Sequence, residues 1–313
     1  MEDNTYKGVF TNDIYIVIIH IPKMITIQLM GGLGNQLFQI FATIAYAIEH
    51  GHQFVFPYTD VLLVGKARQT YWNNFLSNFT IFTTKSPVCK FSNNDLKLLP
   101  VLKEPSFKYE KIPHVSSNTS ISLHGYYQSY KYFEKYQDKI YAMMLLSNQQ
   151  KSVRTKYTNY LEGCNTVSMH FRLGDYKEKQ QYHPIMPKEY YEKALFCILN
   201  TKYTFDTPIR VLYFCEKEDN LIVMGVIEQL RSSFSKYSKL VFVKVEDDME
   251  DWKQLLLMSC CDDNIIANSS FSWWGAYLNQ NPNKCVCYPY IWFGPAMGTV
   301  YLDDLFPPSW SKI

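Results

Sequence analysis

The chain has 313 residues, 47% hydrophobic and 19% charged, with 31 basic and 29 acidic residues and a formal net charge of +2. This is enough apolar material for one large domain or two modest ones, and the balance leaves no electrostatic footprint for nucleic acid and no basic block for an anionic membrane. Eight cysteines lie scattered without zinc-finger spacing, which argues for reduced thiols and against a disulfide framework or a structural metal.

In chain order, Ile14 to Met30 is apolar only in part, because His20, Pro22 and Lys23 interrupt it. A membrane span needs about 20 apolar residues, and the acidic residues before this stretch make it a poor signal peptide. Residues 1–23 therefore read as an extension with room for an extra edge strand. The expectation is a soluble, cytoplasmic protein without a transmembrane anchor. Asn78, Asn118 and Asn268 stand in N-x-S/T sequons, which matter only in a secretory lumen.

Ile25 to Met30 reads as a strand. Gly31-Gly32-Leu33-Gly34-Asn35-Gln36 follows, then a helix marked by Leu37, Ile40, Phe41, Ile44, Ala45 and Ile48 and stopped by Gly51. Gln53 to Phe56 is the next strand. The turn resembles a dinucleotide fingerprint, but Gln36 and Leu37 replace its tail and the acidic residue about 20 positions on is missing. A nicotinamide dehydrogenase fits poorly. The glycines still let a ligand approach the backbone at a helix N-terminus, a place that favours anions or polar sugars.

Residues 57–120 hold no period. Ile121 to Ser129 reads as strand and turn, and helices are expected at about 130–146 and 149–160. Gly163 marks a boundary, which gives an N-terminal unit at 24–162 and a C-terminal unit at 163–313. The second half alternates plainly, with strands at 166–171, 209–215, 240–245, 264–267 and 284–288 and helices at about 187–200, 219–234, 249–260 and 272–279. Such alternation argues for a parallel sheet covered on both faces. The fold expected is α/β, with two Rossmann-like domains facing a cleft.

Two strand ends of the second half carry polar groups. Val167-Ser168-Met169 runs into His170, Arg172, Gly174 and Asp175. His170 and Arg172 share one face of an extended chain, and a guanidinium there suits a phosphate. Ile265-Ile266-Ala267 runs into Asn268, Ser269, Ser270 and Ser272 and then a helix. Serine at a helix start is an ordinary N-cap, yet together with Arg172 it supplies the parts of a pyrophosphate site.

These pieces, with Gly31 to Gln39, Gly125-Tyr126-Tyr127-Gln128-Ser129, Leu257-Met258-Ser259, Trp292-Phe293 and Asp304 to Trp310, resemble the inverting α-1,2-fucosyltransferases of glycosyltransferase family 11. The resemblance runs from about residue 24 onward. It implies a GT-B arrangement, with the nucleotide-sugar donor on the C-terminal side. It also implies transfer of L-fucose from GDP-β-L-fucose to a sugar hydroxyl, often on galactose, with inversion and with neither a cofactor nor an essential metal. No strict Asp-x-Asp is present, which agrees on the metal.

Under that resemblance Arg172 stabilises charge on the leaving diphosphate. His170, Asn268, Ser269, Ser270 and Ser272 join it on the donor side. Gly32, Gly34, Asn35, Gln36, Tyr126 and Gln128 shape the acceptor side, where a glycan binds. Inversion calls for a base; Asp175 is nearest, with Glu178 and His183 on the same loop, and the choice stays open. Three positions depart from the family. Leu173 stands where a second arginine is frequent, and Asp263 where a histidine is common. Gln254 stands where an aspartate reads guanine, so either Asp251 substitutes or the base differs. Alternatives are another activated 6-deoxysugar donor, of UDP- or GDP-rhamnose type, and a non-catalytic carbohydrate-binding relic. The acceptor glycan and the oligomeric state are left open.

Overall fold

The computed structural model describes residues 24–115 and 119–313. The extension at 1–23, its extra strand and the Asn118 sequon lie outside these residues.

The first half opens with β1 (Met24–Ile27), α1 (Leu33–His50) and β2 (Gln53–Phe54). An antiparallel hairpin follows, β3 (Val61–Leu62) with β4 (Arg68–Gln69), then the short helix α2 (Asn93–Lys97), β5 (Val101–Lys103) and β6 (Ile121–His124). Strands β2, β1, β6 and β5 form a parallel sheet in that spatial order. Helix α1 starts earlier than its apolar spacing suggests. Gly31, at φ +78°, makes the turn into it, and Gly51, at φ +65°, closes it by returning its N–H to the carbonyls of Ala47 and Ile48. The helix is buried on nearly every side, from Leu33 to Ala47. A helix apolar all round belongs inside a protein, and this one lies between its own sheet and the second half.

The segment after β6 departs from expectation. Instead of one helix at 130–146, two single 3₁₀ turns precede α3 (Gln137–Met143). Phe133 breaks the helix because its ring is pulled wholly into the core, stacked on Trp274 and edge-on to Phe41. Leu145, at φ +53°, separates α3 from α4 (Leu146–Lys156), and Tyr157 separates α4 from α5 (Thr158–Leu161).

The second half runs β7 (Asn165–His170), α6 (Lys188–Lys202), β8 (Ile209–Phe214), α7 (Asn220–Ser233) and β9 (Leu240–Lys244). It continues through α8 (Asp251–Ser259), β10 (Asp263–Ile265), α9 (Ser270–Tyr277), β11 (Val286–Tyr288) and β12 (Ser311–Lys312). All six strands are parallel, in the spatial order β9-β8-β7-β10-β11-β12. Counted within this half the order is 3-2-1-4-5-6, that of the Rossmann fold, and it reverses between β7 and β10. Both faces are buried: Val211 and Tyr213 pack under α6 and α7, while Leu212 and Phe214 join the core shared with the first half. The strand at the end of the chain, β12, was not foreseen.

The halves meet where α1 and α9 cross. A Cβ added to Gly34 would lie 2.4 Å from the Ser270 carbonyl carbon, 2.5 Å from its oxygen and 2.7 Å from the Phe271 nitrogen. Phe38 and Phe41 of α1 pack on Trp273 and Trp274 of α9 with ring centroids 4.4–5.1 Å apart, all four wholly buried. Gly34→Ala forces backbone against backbone, so it should cost about 1–3 kcal/mol, as overpacking does. Urea unfolding should show a lowered midpoint. Gly32→Ala is the control: it meets nothing within 4 Å and has φ −76°, so its midpoint should stay near wild type.

Candidate active site

Each sheet has one switch point, between β1 and β6 in the first and between β7 and β10 in the second. Ligands of open α/β sheets bind at the carboxyl ends of strands flanking such points. Here both points open onto one cleft of about 1190 Å³. Its walls are the Gly32–Asn35 turn, Tyr126 and Gln128 from the first half, and the loops after β7, β8, β10 and β11 from the second. The N-termini of α1 and α9 both point into it. Peptide dipoles and unpaired N–H groups make such ends favourable for anions.

At the end of β7, Arg172 is gripped by two carboxylates, Asp175 and Glu216. Its guanidinium lies 5.0 Å from the centroid of the Tyr176 ring, and the His183 ring stacks on that tyrosine at 4.8 Å. Tyr176 donates its hydroxyl to the Asn268 carbonyl at 3.1 Å, which joins the β7 and β10 loops across the switch point. Asn268 donates to the carbonyls of Pro184 at 2.9 Å and Trp292 at 3.1 Å and is 2% exposed, so its sequon is unreachable in the folded chain. Ser269 caps α9, its Oγ accepting from the Phe271 N–H at 3.3 Å. Ser270 lines the cleft beside it.

His170 lines the cleft floor but is almost wholly buried. Burial, and secondarily the Arg172 charge, push its pKa down to about 3. It stays neutral at any physiological pH and serves as a wall group. Burial also lowers the pKa of His183, against the pull of Asp175. On the opposite wall Asp251 accepts hydrogen bonds from the Tyr71 hydroxyl and from Gln69 Nε2, at 3.5 Å for the latter. This carboxylate at the start of α8 therefore ties the second half to β4 of the first. Burial, then Asp251, raise the Tyr71 pKa, so the phenol stays the donor. Gln254 donates its Nε2 to the Met249 carbonyl at 2.8 Å. Gln128 Nε2 donates to Asn35 Oδ1 at 2.8 Å, and Glu104 accepts from the N–H groups of Tyr126 and Tyr127.

Of the residues singled out from the sequence, His170, Arg172, Asp175, Asn268, Ser269, Ser270, Asp251, Gln254, Gly32, Gly34, Asn35, Tyr126 and Gln128 line this one cleft. Three do not. Gln36 is wholly buried and donates to the carbonyls of Gly31 at 3.0 Å and Gln69 at 2.9 Å, so it fixes the glycine turn to the hairpin and faces no ligand. Ser272 is 1% exposed and turns its hydroxyl back to the Ala267 and Ser269 carbonyls. Glu178 is exposed and does not line the cleft. Gly34 lines the cleft, but its missing side chain makes room for α9. Leu173 is buried among the apolar residues under β7.

Glu216, Tyr176, Tyr71 and Arg68 escaped the sequence reading. Glu216 could have been found, since it follows the strand neighbouring β7 and strand ends carry the site. Tyr71 and Arg68 lie in the stretch without period, where nothing marks them.

Two parallel Rossmann-type sheets with one cleft between their switch points constitute the GT-B arrangement, and the protein is a glycosyltransferase. Its family resemblance is to glycosyltransferase family 11: residues 224–299 match the family described as Glycosyl transferase family 11. The O-antigen biosynthesis glycosyltransferase WbnK of Escherichia coli is 26% identical over 296 residues, covering 85% of this chain and 93% of that protein. An α-1,2-colitosyltransferase of Escherichia coli is 25% identical over 314 residues, covering 93% of this chain and 99% of that protein. A galactoside 2-α-L-fucosyltransferase of Caenorhabditis elegans is 21% identical over 296 residues, covering 93% of this chain and 79% of that protein. The chain is thus a glycosyltransferase that is similar to α-1,2-colitosyl- and fucosyltransferases and carries a segment matching family 11. No helix among the described residues is long and apolar enough to cross a membrane.

The His170 environment sets a pH dependence. The unfolded histidine binds a proton near pH 6.5 and the folded one only near pH 3, so the unfolded state holds more protons between these values. The stability contribution is complete above pH 6.5 and declines as the pH falls toward 3. A His170→Gln variant should show a shallower fall between pH 6.5 and 4, by up to about 1.4 kcal/mol per pH unit, in denaturation series at fixed ionic strength.

Proposed function

We propose that the protein moves L-fucose or a closely similar 6-deoxysugar from a GDP-linked donor to a hydroxyl of a glycan, with inversion and without a metal. One observation carries this reading. The Arg172 guanidinium and the Ser269–Ser270 N-terminus of α9 converge at the switch point of the six-stranded sheet, with the N-terminus of α1 facing them. A sugar diphosphate bridges those positions. Preorganised N–H groups and a guanidinium aimed at its bridging oxygens are worth most when charge develops on the leaving diphosphate, which is where catalysis gains from them.

The nucleotide base falls on the α8 side of the cleft, where Asp251 and Gln254 open the helix. The acceptor falls at the other end, against Tyr176, His183, Trp292 and Phe293, with Phe107 edge-on to Phe293 at 5.3 Å. Aromatic faces of this kind stack on the apolar side of a pyranose. Of the three base candidates, Asp175 is held by Arg172 and Glu178 lies outside the cleft. His183 lines the acceptor end, has no ion pair among the described residues, and is neutral at pH 7. It takes the proton of the attacking hydroxyl as that oxygen forms the new glycosidic bond and the diphosphate leaves with the bonding electrons of the old one.

A second reading keeps the reaction and changes the donor. Gln254 holds its amide N–H on Met249, so it offers the cleft one acceptor oxygen, whereas guanine presents two neighbouring donors. A single N–H, as in uracil, matches it as well.

Calorimetry with GDP and UDP, each with EDTA or magnesium, separates these readings. The fucosyl reading expects tight GDP, weak UDP and no effect of magnesium. Preference for UDP would overturn the guanine assignment. Arg172→Ala should fold normally and lose transfer by at least a hundredfold; near-normal turnover would remove the phosphate site from the mechanism. His183→Gln should lower kcat about a hundredfold. It should also erase the acid limb that wild type shows as the imidazole protonates below its ordinary range.

A further inference from the structure

The cleft is short of positive charge for the ligand it is assigned. Three cations line it, Arg68, Arg172 and Lys217, against five carboxylates, Asp175, Glu216, Glu218, Asp247 and Asp251. Arg172 is matched twice, by Asp175 and Glu216, so that trio carries a net negative charge. Lys217 is exposed at the rim, where its field falls on Asp247. Arg68 differs from Arg172 in having no ion pair among the described residues, and from Lys217 in being half-buried. A guanidinium remains charged at any relevant pH, and one that lines the cleft with no carboxylate paired to it is open to an anionic ligand.

The strand that carries Arg68 is fixed in place. The next carbonyl, that of Gln69, accepts from buried Gln36 at 2.9 Å. Gln69 Nε2 and the Tyr71 hydroxyl reach Asp251 on α8. Arg68 is therefore mounted on the first half, beside the base end of the cleft, and is held against the second half by its neighbours.

We propose that Arg68 is the second guanidinium of the donor site, closing on the diphosphate from the wall opposite Arg172 and α9. This rests on the nucleotide-sugar reading above. In it, Arg172 with its two carboxylates is a rigid, oriented donor of hydrogen bonds, and Arg68 supplies the charge that this trio lacks. The diphosphate then bridges the two halves.

Calorimetry of wild type, Arg68→Ala and Arg68→Lys with GDP, guanosine and inorganic pyrophosphate tests it, with circular dichroism to confirm folding. Arg68→Ala should bind GDP and pyrophosphate at least tenfold more weakly and guanosine unchanged, and Arg68→Lys should recover part of the loss. The wild-type GDP affinity should also fall with salt more steeply than that of Arg68→Ala. Unchanged GDP and pyrophosphate binding in Arg68→Ala would overturn the proposal. So would equal loss of GDP and guanosine, which would put Arg68 on the base instead. If wild type binds pyrophosphate but no guanine nucleotide, the guanine reading fails while the pyrophosphate comparison still decides Arg68.

Discussion

The contact of two helix ends, α1 and α9, is the constraint on which the rest of this molecule depends. Gly34 has no side chain, so the first turn of α1 can rest against the backbone of Ser270 and Phe271. The aromatic rings one and two turns further on, Phe38 and Phe41 against Trp273 and Trp274, seal the approach. Two effects follow from one packing event. The sheets are set with their switch points facing each other, and two sets of unpaired N–H groups are brought to the same space. A glycine-rich turn usually suggests a ligand close to the backbone; here one of its glycines accommodates another part of the protein, and the ligand benefits indirectly.

The electrostatics of the cleft follow from this arrangement. Bonds to Asp175 and Glu216 hold the Arg172 guanidinium in one orientation, at the cost of its net charge. Besides Arg68, the positive field at the switch point comes from the two helix ends, which are fixed dipoles and need no reorganisation as charge develops. Fine positioning falls to neutral groups. Gln39 accepts from the Met30 N–H at 2.9 Å and donates to the Gly125 carbonyl at 3.1 Å, holding the two loops of the first switch point together. Gln36 does the same for the glycine turn and the hairpin.

Much of the second half was legible in the sequence, because parallel strands buried on both faces read as uninterrupted apolar runs and their ends can be located. That logic pointed to Arg172 and the Asn268–Ser270 turn, and the fold brings both to the cleft. It failed where a residue's role is set by a distant partner. Gln36 and Ser272 sit inside motifs that looked ligand-facing, yet their side chains bond to backbone groups that only the folded chain brings near. The helix expected through Phe133 had adequate local propensity, and a core position overrode it. The hairpin that bears Arg68 and Tyr71 is held by Gln36 and Asp251, one before it and one far after it in the chain, so no local pattern announces it.

Helix α1 bears on how the chain is made. It is synthesised before any part of the second half, and its apolar surface is buried only partly by the four short strands beside it. The partner that completes its burial, α9, emerges from the ribosome only after nearly all of the second sheet. During that interval the nascent chain exposes an aromatic face of the kind that chaperones hold and aggregates recruit. The core of the first half is therefore complete only once α9 of the second has been made.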